Sequence, residues 1–213
     1  MSPNNRVREG QVFLISAPSG SGKTTLGKEL ISSLPDLQLS VSYTTRKPRT
    51  GEREGVNYFF LTKEEFGKKR VEGELIEWAE VFGHYYGTSY QRLNRYLQQG
   101  KDVLLLIDVQ GALQIKEKIP RVVSIFVLPP SWEALKQRLE ERGTDTAEEI
   151  QRRLEIARRE VDYWSHYDYI VINETLTEAV ERLRSIIIAE CSRQGKMKEV
   201  IQRIIDDFRP REG

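Results

Sequence analysis

The sequence predicts an α/β fold, with a parallel central sheet flanked by helices and a small mixed α/β subdomain inserted into it. Three observations predict it. Val12, Phe13, Leu14 and Ile15 form an apolar run that meets a glycine-rich turn and then a helical pattern. Strand and helix patterns alternate again from Val103 onward. Between them, residues 42–99 carry short strands and turns of another rhythm.

The elements follow in order. Residues 12–15 read as a buried strand, and 16–22 as a turn. Residues 23–34 read as a helix with Leu26, Leu30 and Ile31 on one face, ended by Pro35. Residues 39–43 alternate and predict one strand; the polar stretch 46–55, with Pro48, Gly51 and Gly55, is a loop. Tyr58 to Leu61 predicts a second strand. Thr62 with Glu65 forms a capping box that opens a helix to about Glu72. Residues 75–82 predict a strand, 83–87 a turn and strand, and 89–99 a helix stopped by Gly100. These short strands suggest an antiparallel insert.

The second half reads as strand 103–107 ending in Asp108, helix 110–118, strand 122–128 and helix 131–142 broken by Gly143. Thr146 with Glu149 caps the next helix, whose stripe is Ile150, Leu154, Ala157, Val161 and Trp164. A strand at 169–172 and a helix from the Thr175–Glu178 cap to about Cys191 follow, with a short helix at 197–208. The expected division is a core of residues 1–41 and 100–213 and an insert at 42–99.

Composition narrows the function. The chain has 213 residues, with 33 Lys plus Arg against 32 Asp plus Glu, a formal net charge of +1. A protein that coats nucleic acid carries a strong basic excess, so that class is disfavoured. The hydrophobic set is 38% of the chain, enough for a core rather than disorder. Its longest unbroken run is five residues, 103–107, whereas a membrane helix needs about 20. Residues 1–10 are polar and show no secretory signal, so a soluble cytoplasmic protein is expected. Cys191 is the only cysteine, which excludes an internal disulfide framework and a cysteine-based metal cluster.

Ala17, Pro18, Ser19, Gly20, Ser21, Gly22, Lys23 and Thr24 nearly match G-x-x-x-x-G-K-[ST], with Ala17 in place of the first glycine. Gly20 and Gly22 let the backbone turn its N–H groups toward phosphate oxygens, and the following helix N-terminus adds positive charge. Lys23 would bridge β- and γ-phosphates and Thr24 would ligate Mg²⁺. Asp108, at a strand end, reads equally as a magnesium-organising carboxylate or as a helix cap. Arg46 and Arg49, three apart in a loop, form a candidate phosphate clamp. Tyr58 and Tyr86 offer hydroxyls, and Glu77 places an acid beside Trp78 in a segment suited to burial. Each of these alone also reads as ordinary core or surface.

Together the motifs are more specific. A-P-S-G-S-G-K-T, S-Y-T-T-R-K-P-R-T-G-E, Y-F-F, I-E-W-A, Y-Y-G-T, I-D-V-Q-G and, at 135–144, L-x-x-R-L-x-x-R-G-T resemble guanylate kinase in order and spacing over about 12–189. The resemblance implies a P-loop nucleoside-monophosphate-kinase-type three-layer fold with a GMP-binding insert and a helical lid. It implies transfer of the γ-phosphoryl of ATP to GMP, giving ADP and GDP, with Mg²⁺. By the same resemblance, Arg46, Arg49, Tyr58 and Tyr86 match the ligands of the GMP phosphate. Ser42, Glu77 and Thr88 match the residues that read guanine, and Asp108 lies on the substrate side. Residues 17–25, Thr25 included, and Asn173 match the ATP side. Arg138, Arg142 and Arg153 match the catalytic arginines.

Two positions depart from the family pattern. Leu106 stands where an acid is usual, and Thr88 where serine is common. Two other readings of the scaffold are a kinase for another small phosphate acceptor and a non-enzymatic module that binds phosphopeptides. GMP and ATP are the expected partners, with no nucleic acid and no membrane; monomer and homodimer both stay open. His84 and His166 are expected to be structural or exposed.

Overall fold

The computed structural model describes residues 10–141, 143 and 146–209. The chain forms β1 (Val12–Ser16), α1 (Lys23–Ser33), β2 (Leu37–Leu39), β3 (Tyr43–Thr44), β4 (Phe59–Phe60), α2 (Lys63–Val71), β5 (Leu75–Val81), β6 (His84–Ser89) and α3 (Tyr90–Gln98). There follow β7 (Asp102–Leu106), α4 (Val109–Lys118), β8 (Val123–Leu128), α5 (Trp132–Glu141) and α6 (Ala147–Glu160). A 3-10 helix (Val161–His166), β9 (Tyr169–Ile172), α7 (Leu176–Cys191) and α8 (Gln194–Phe208) complete it.

Five strands make an all-parallel sheet in the order β2-β7-β1-β8-β9. Its strands are apolar along their length because both faces are covered. Phe13 and Ile15 pack on one side with Leu26 and Leu30 of α1 and Leu183 and Ile187 of α7. Val12 and Leu14 pack on the other with Leu93 of α3 and Ala112 and Ile115 of α4. The result is three layers. Parallel strands put all their C-terminal ends on one edge, where ligands of such sheets bind. The turn after β1, Asp108 after β7 and Asn173 after β9 all lie there.

A second sheet runs β4-β3-β6-β5. It is mixed rather than purely antiparallel, because β3 pairs parallel with β4. The single strand expected at 39–43 is two. Leu37–Leu39 joins β7 in the large sheet, and Tyr43–Thr44 joins β6 in the small one. Tyr43, Phe66 and Leu75 form the small sheet's own core.

Of the three expected Thr–Glu caps, Thr62–Glu65 and Thr146–Glu149 form full capping boxes, and at Thr175–Glu178 only the threonine side chain caps the backbone, accepting from Glu178 N. The α6 stripe ends earlier than its spacing predicts. After Glu160 the helix tightens to 3-10 geometry, which rotates Trp164 out to 56% exposure. Leu154 and Ala157 instead close a separate cluster with Leu135 and Leu139 of α5. The last helix begins three residues before the sequence places it. Among the described residues, no helix is long and apolar enough to cross a membrane.

Candidate active site

The turn after β1 is shaped by two glycines. Gly20 and Gly22 have φ of +94° and +89°, values that suit glycine alone. A side chain on Gly20 would also collide with Leu139 of α5, at 2.7 Å. The loop is braced from a distant strand, since Asn173 Nδ2 donates to Ser21 O at 2.9 Å. Ala17, in the first-glycine position, is buried in the core cluster of β1 and α1. Thr24 and Thr25 are exposed on the first turn of α1.

Lys23 reaches back across the sheet edge and donates to Ile107 O at 2.7 Å. Burial pushes its pKa down, while Asp108, Glu160 and Glu77 pull it up. Asp108 caps α4, its Oδ1 accepting from the N–H groups of Gln110 and Gly111 at 2.8 and 3.2 Å. The cap reading of Asp108 is therefore correct, and its charge still reaches Lys23.

Glu77, on β5, is 2% exposed and Thr88, on β6, is 0% exposed. Thr88 Oγ1 donates to Glu77 Oε1 at 2.6 Å, so threonine does supply a hydroxyl where serine is common. Burial raises the Glu77 pKa to about 7, against the opposing pull of Thr88 and Lys23. Its desolvation is already complete before any ligand arrives.

Arg46, Tyr58 and Tyr86 form a second group. The Arg46 guanidinium lies 5.5 Å from the centre of the Tyr58 ring, and the two tyrosine rings are 5.8 Å apart. Burial, with Tyr86 adding to it, raises the Tyr58 pKa, so its hydroxyl stays a donor. Arg46 is held by Glu52 in two hydrogen bonds of 2.8 and 3.0 Å from Nη2. The same carboxylate accepts the Arg49 main-chain N–H at 2.7 Å. Burial opposes the ionisation of Glu52, but these bonds outweigh it and hold its pKa low. Ser42 sits where β3 begins, its carbonyl accepting from Phe59 N.

The two described arginines of α5 and α6, Arg138 and Arg153, have different partners. Arg138 Nη2 donates to the carbonyls of Asn173 and Glu174 at 2.8 and 3.2 Å, while its Nη1 is buried with no hydrogen-bond partner among the described residues. Arg153 lies over the ring of Phe82, 5.3 Å away, at the tip of the β5–β6 hairpin. Arg142 falls outside the described residues. His166 is exposed. Leu106 packs over Gly27 of α1, where a Cβ would come within 2.3 Å of it, so this position is filled by core contact rather than by an acid.

Two residues escaped the sequence reading. Glu52 is the terminal acid of the run that carries Arg46 and Arg49, a signal that was present. Glu160 had none. It closes α6, accepts the Ser19 N–H at 3.2 Å, and burial raises its pKa to about 7 despite Lys23.

A family model described as guanylate kinase matches residues 9–190. The chain is 48% identical over 200 residues to a guanylate kinase of Caldanaerobacter subterraneus subsp. tengcongensis, covering 94% of this chain and 97% of that one. It is 50% identical over 184 residues to a guanylate kinase of Hahella chejuensis, covering 86% and 88%. The crystal structure of guanylate kinase from Anaplasma phagocytophilum superposes with a TM-score of 0.77 at 36% identity, covering 92% of this chain and 95% of that one.

Proposed function

The chain belongs to the guanylate kinase family and is an enzyme that phosphorylates GMP from ATP, and on that premise we propose how its residues divide the work. Glu77 reads guanine. The base offers two adjacent donors, N1–H and the 2-amino group, and an ionised carboxylate accepts both. Adenine presents an acceptor at N1, which the same carboxylate repels. A buried polar site of this kind rejects a mismatched base by about 10⁴–10⁵. Thr88 orients Glu77, and Ser42 contributes from the start of β3.

Arg46, Arg49, Tyr58 and Tyr86 hold the GMP phosphate, with Glu52 fixing the arginine loop. Residues 17–25 cradle the ATP phosphates, and Asn173 steadies that loop. Lys23 bridges β- and γ-phosphates. Arg138, Arg142 and Arg153 neutralise charge on the transferring group. The insert is residues 42–99 and the lid about 136–158, on a core of 1–41 and 100–213.

The residues present suit Mg²⁺. Thr24 offers a hard hydroxyl oxygen on an exposed first turn of α1. Thr24 would hold the ion, and when bound it offsets phosphate charge.

Transfer is in line, with no covalent enzyme intermediate. A GMP phosphate dianion needs no general base, so the protein supplies position, charge and dryness. Closure of insert and lid keeps out water, the competing acceptor. We place the enzyme in the cytoplasm, acting on nucleotides rather than nucleic acid or membrane.

The observation that carries this reading is the buried carboxylate of Glu77, 2% exposed and bonded to Thr88 Oγ1 at 2.6 Å, in a chain whose glycine loop holds Lys23 at the sheet edge by its bond to Ile107 O. One is suited to guanine and the other to phosphate. A phosphotransfer assay with Mg²⁺, ATP and a panel of GMP, AMP, UMP and sugar phosphates tests it. GMP should be preferred by at least about 10³-fold; equal rates would refute it.

A further inference from the structure

The strand that carries Glu77 is fastened to α4 on both sides of that residue. Lys118 Nζ donates to Ile76 O at 2.5 Å. Gln114 Nε2 donates to Trp78 O at 2.7 Å, and Gln114 Oε1 accepts the Trp78 N–H at 3.2 Å. Between these clamps, Glu77 turns Oε2 toward Gly111. A Cβ at Gly111 would sit 2.4 Å from Oε2 and 3.2 Å from the carboxyl carbon. Residues 111, 114 and 118 are spaced three and four apart, so they share one helix face.

Gly111 lies in the first turn of α4, where helix propensity favours alanine. Its backbone is ordinary helix, so no unusual φ requires glycine. What glycine supplies there is space, and the group filling that space is the Glu77 carboxylate.

We infer that the Gly111–Gln114–Lys118 face of α4 is a specificity-positioning surface, seating the Glu77 carboxylate where it meets the N1–H and 2-amino donors of guanine. The inference rests on the reading of Glu77 as the guanine reader. A methyl group at position 111 has to displace something. The helix is pinned by its Asp108 cap and by Val109, Ala112 and Ile115 in the core. The strand is pinned by Gln114 and Lys118. The carboxylate end of Glu77 is the part able to turn aside. The cost therefore falls on base reading rather than on folding.

The test compares Gly111→Ala, Gln114→Ala and Glu77→Gln in the full chain. The readouts are kcat/KM for GMP and for inosine monophosphate, which lacks the 2-amino group, together with KM for ATP and thermal midpoint. Gly111→Ala should lower the GMP-to-inosine-monophosphate ratio about tenfold or more, the scale of a charge-assisted hydrogen bond. Its KM for ATP should stay within about twofold, and its thermal midpoint should not fall. Gln114→Ala should lower the same ratio by about threefold, which keeps the test decisive should the alanine at 111 prevent folding. A ratio unchanged in both α4 variants but lost in Glu77→Gln would overturn this inference. A ratio unchanged in Glu77→Gln would instead overturn the reading of Glu77 on which it rests.

Discussion

Lys23 Nζ donates to the main-chain carbonyl of Ile107 at 2.7 Å, which ties the phosphate loop after β1 to the end of β7. The ammonium is thus fixed at the sheet edge, where the charges of Asp108, Glu160 and Glu77 favour its ionised form. Lys23→Ala should lower kcat by about 10²–10³, the effect of losing one preorganised charge at a developing anion. GMP binding measured by calorimetry should stay within about twofold, because the ligands proposed for base and monophosphate are other residues. Full turnover in this variant would remove Lys23 from the mechanism.

Arg46 and Glu52 make a sharper case, because two effects oppose. A carboxylate beside an arginine proposed to bind phosphate repels that phosphate, yet Glu52 also orders the loop through Arg49 N. Ordering should win. Glu52→Ala is expected to raise KM for GMP about tenfold with kcat changed less than about threefold. Steady-state kinetics would show the opposite sign, a lower KM, if repulsion dominated.

Arg138 has one buried guanidinium nitrogen with no hydrogen-bond partner among the described residues, while the other is spent on Asn173 and Glu174 carbonyls. Such a donor is poised for an anion. Arg138→Lys cannot reproduce the fork and should lose about 10²-fold in kcat. Its thermal midpoint should fall by only a few degrees, as differential scanning fluorimetry would record.

The raised pKa of Glu160, about 7, makes a prediction about stability. A carboxyl whose pKa rises on folding favours the fold when protonated. That contribution is complete below its unfolded value, near 4.5, and is lost as pH rises through about 7. Glu160→Gln stays neutral at every pH. It should therefore exceed the parent in thermal stability at pH 8, by at most about 3 kcal/mol, and differ little at pH 4. A stability difference that does not change with pH would show that Glu160 is not penalised by burial.

Much of the fold was legible because local chemistry decided it. Thr62–Glu65 and Thr146–Glu149 mark helix starts by reciprocal hydrogen bonds, and the continuous apolar runs mark strands covered on both faces. Alternation at 39–43 failed because period two says that a segment is extended, not which sheet it joins. The α6 stripe ran too far because spacing cannot see the switch to 3-10 geometry after Glu160. The candidate site divides the same way. Gly20, Gly22 and Lys23 are close in sequence and declare themselves. Glu160 meets Ser19 across a separation of 141 residues, and only the packing of α6 brings them together. Glu52 stood in the motif, but its bond to Arg46 depends on how the loop folds back.

The most direct measurement is the crystal structure of the GMP complex. The account predicts that Glu77 accepts hydrogen bonds from both the N1–H and the 2-amino group of guanine, at about 2.7–3.0 Å, with Thr88 still bonded to it. Guanine bound with neither donor on Glu77 would contradict it.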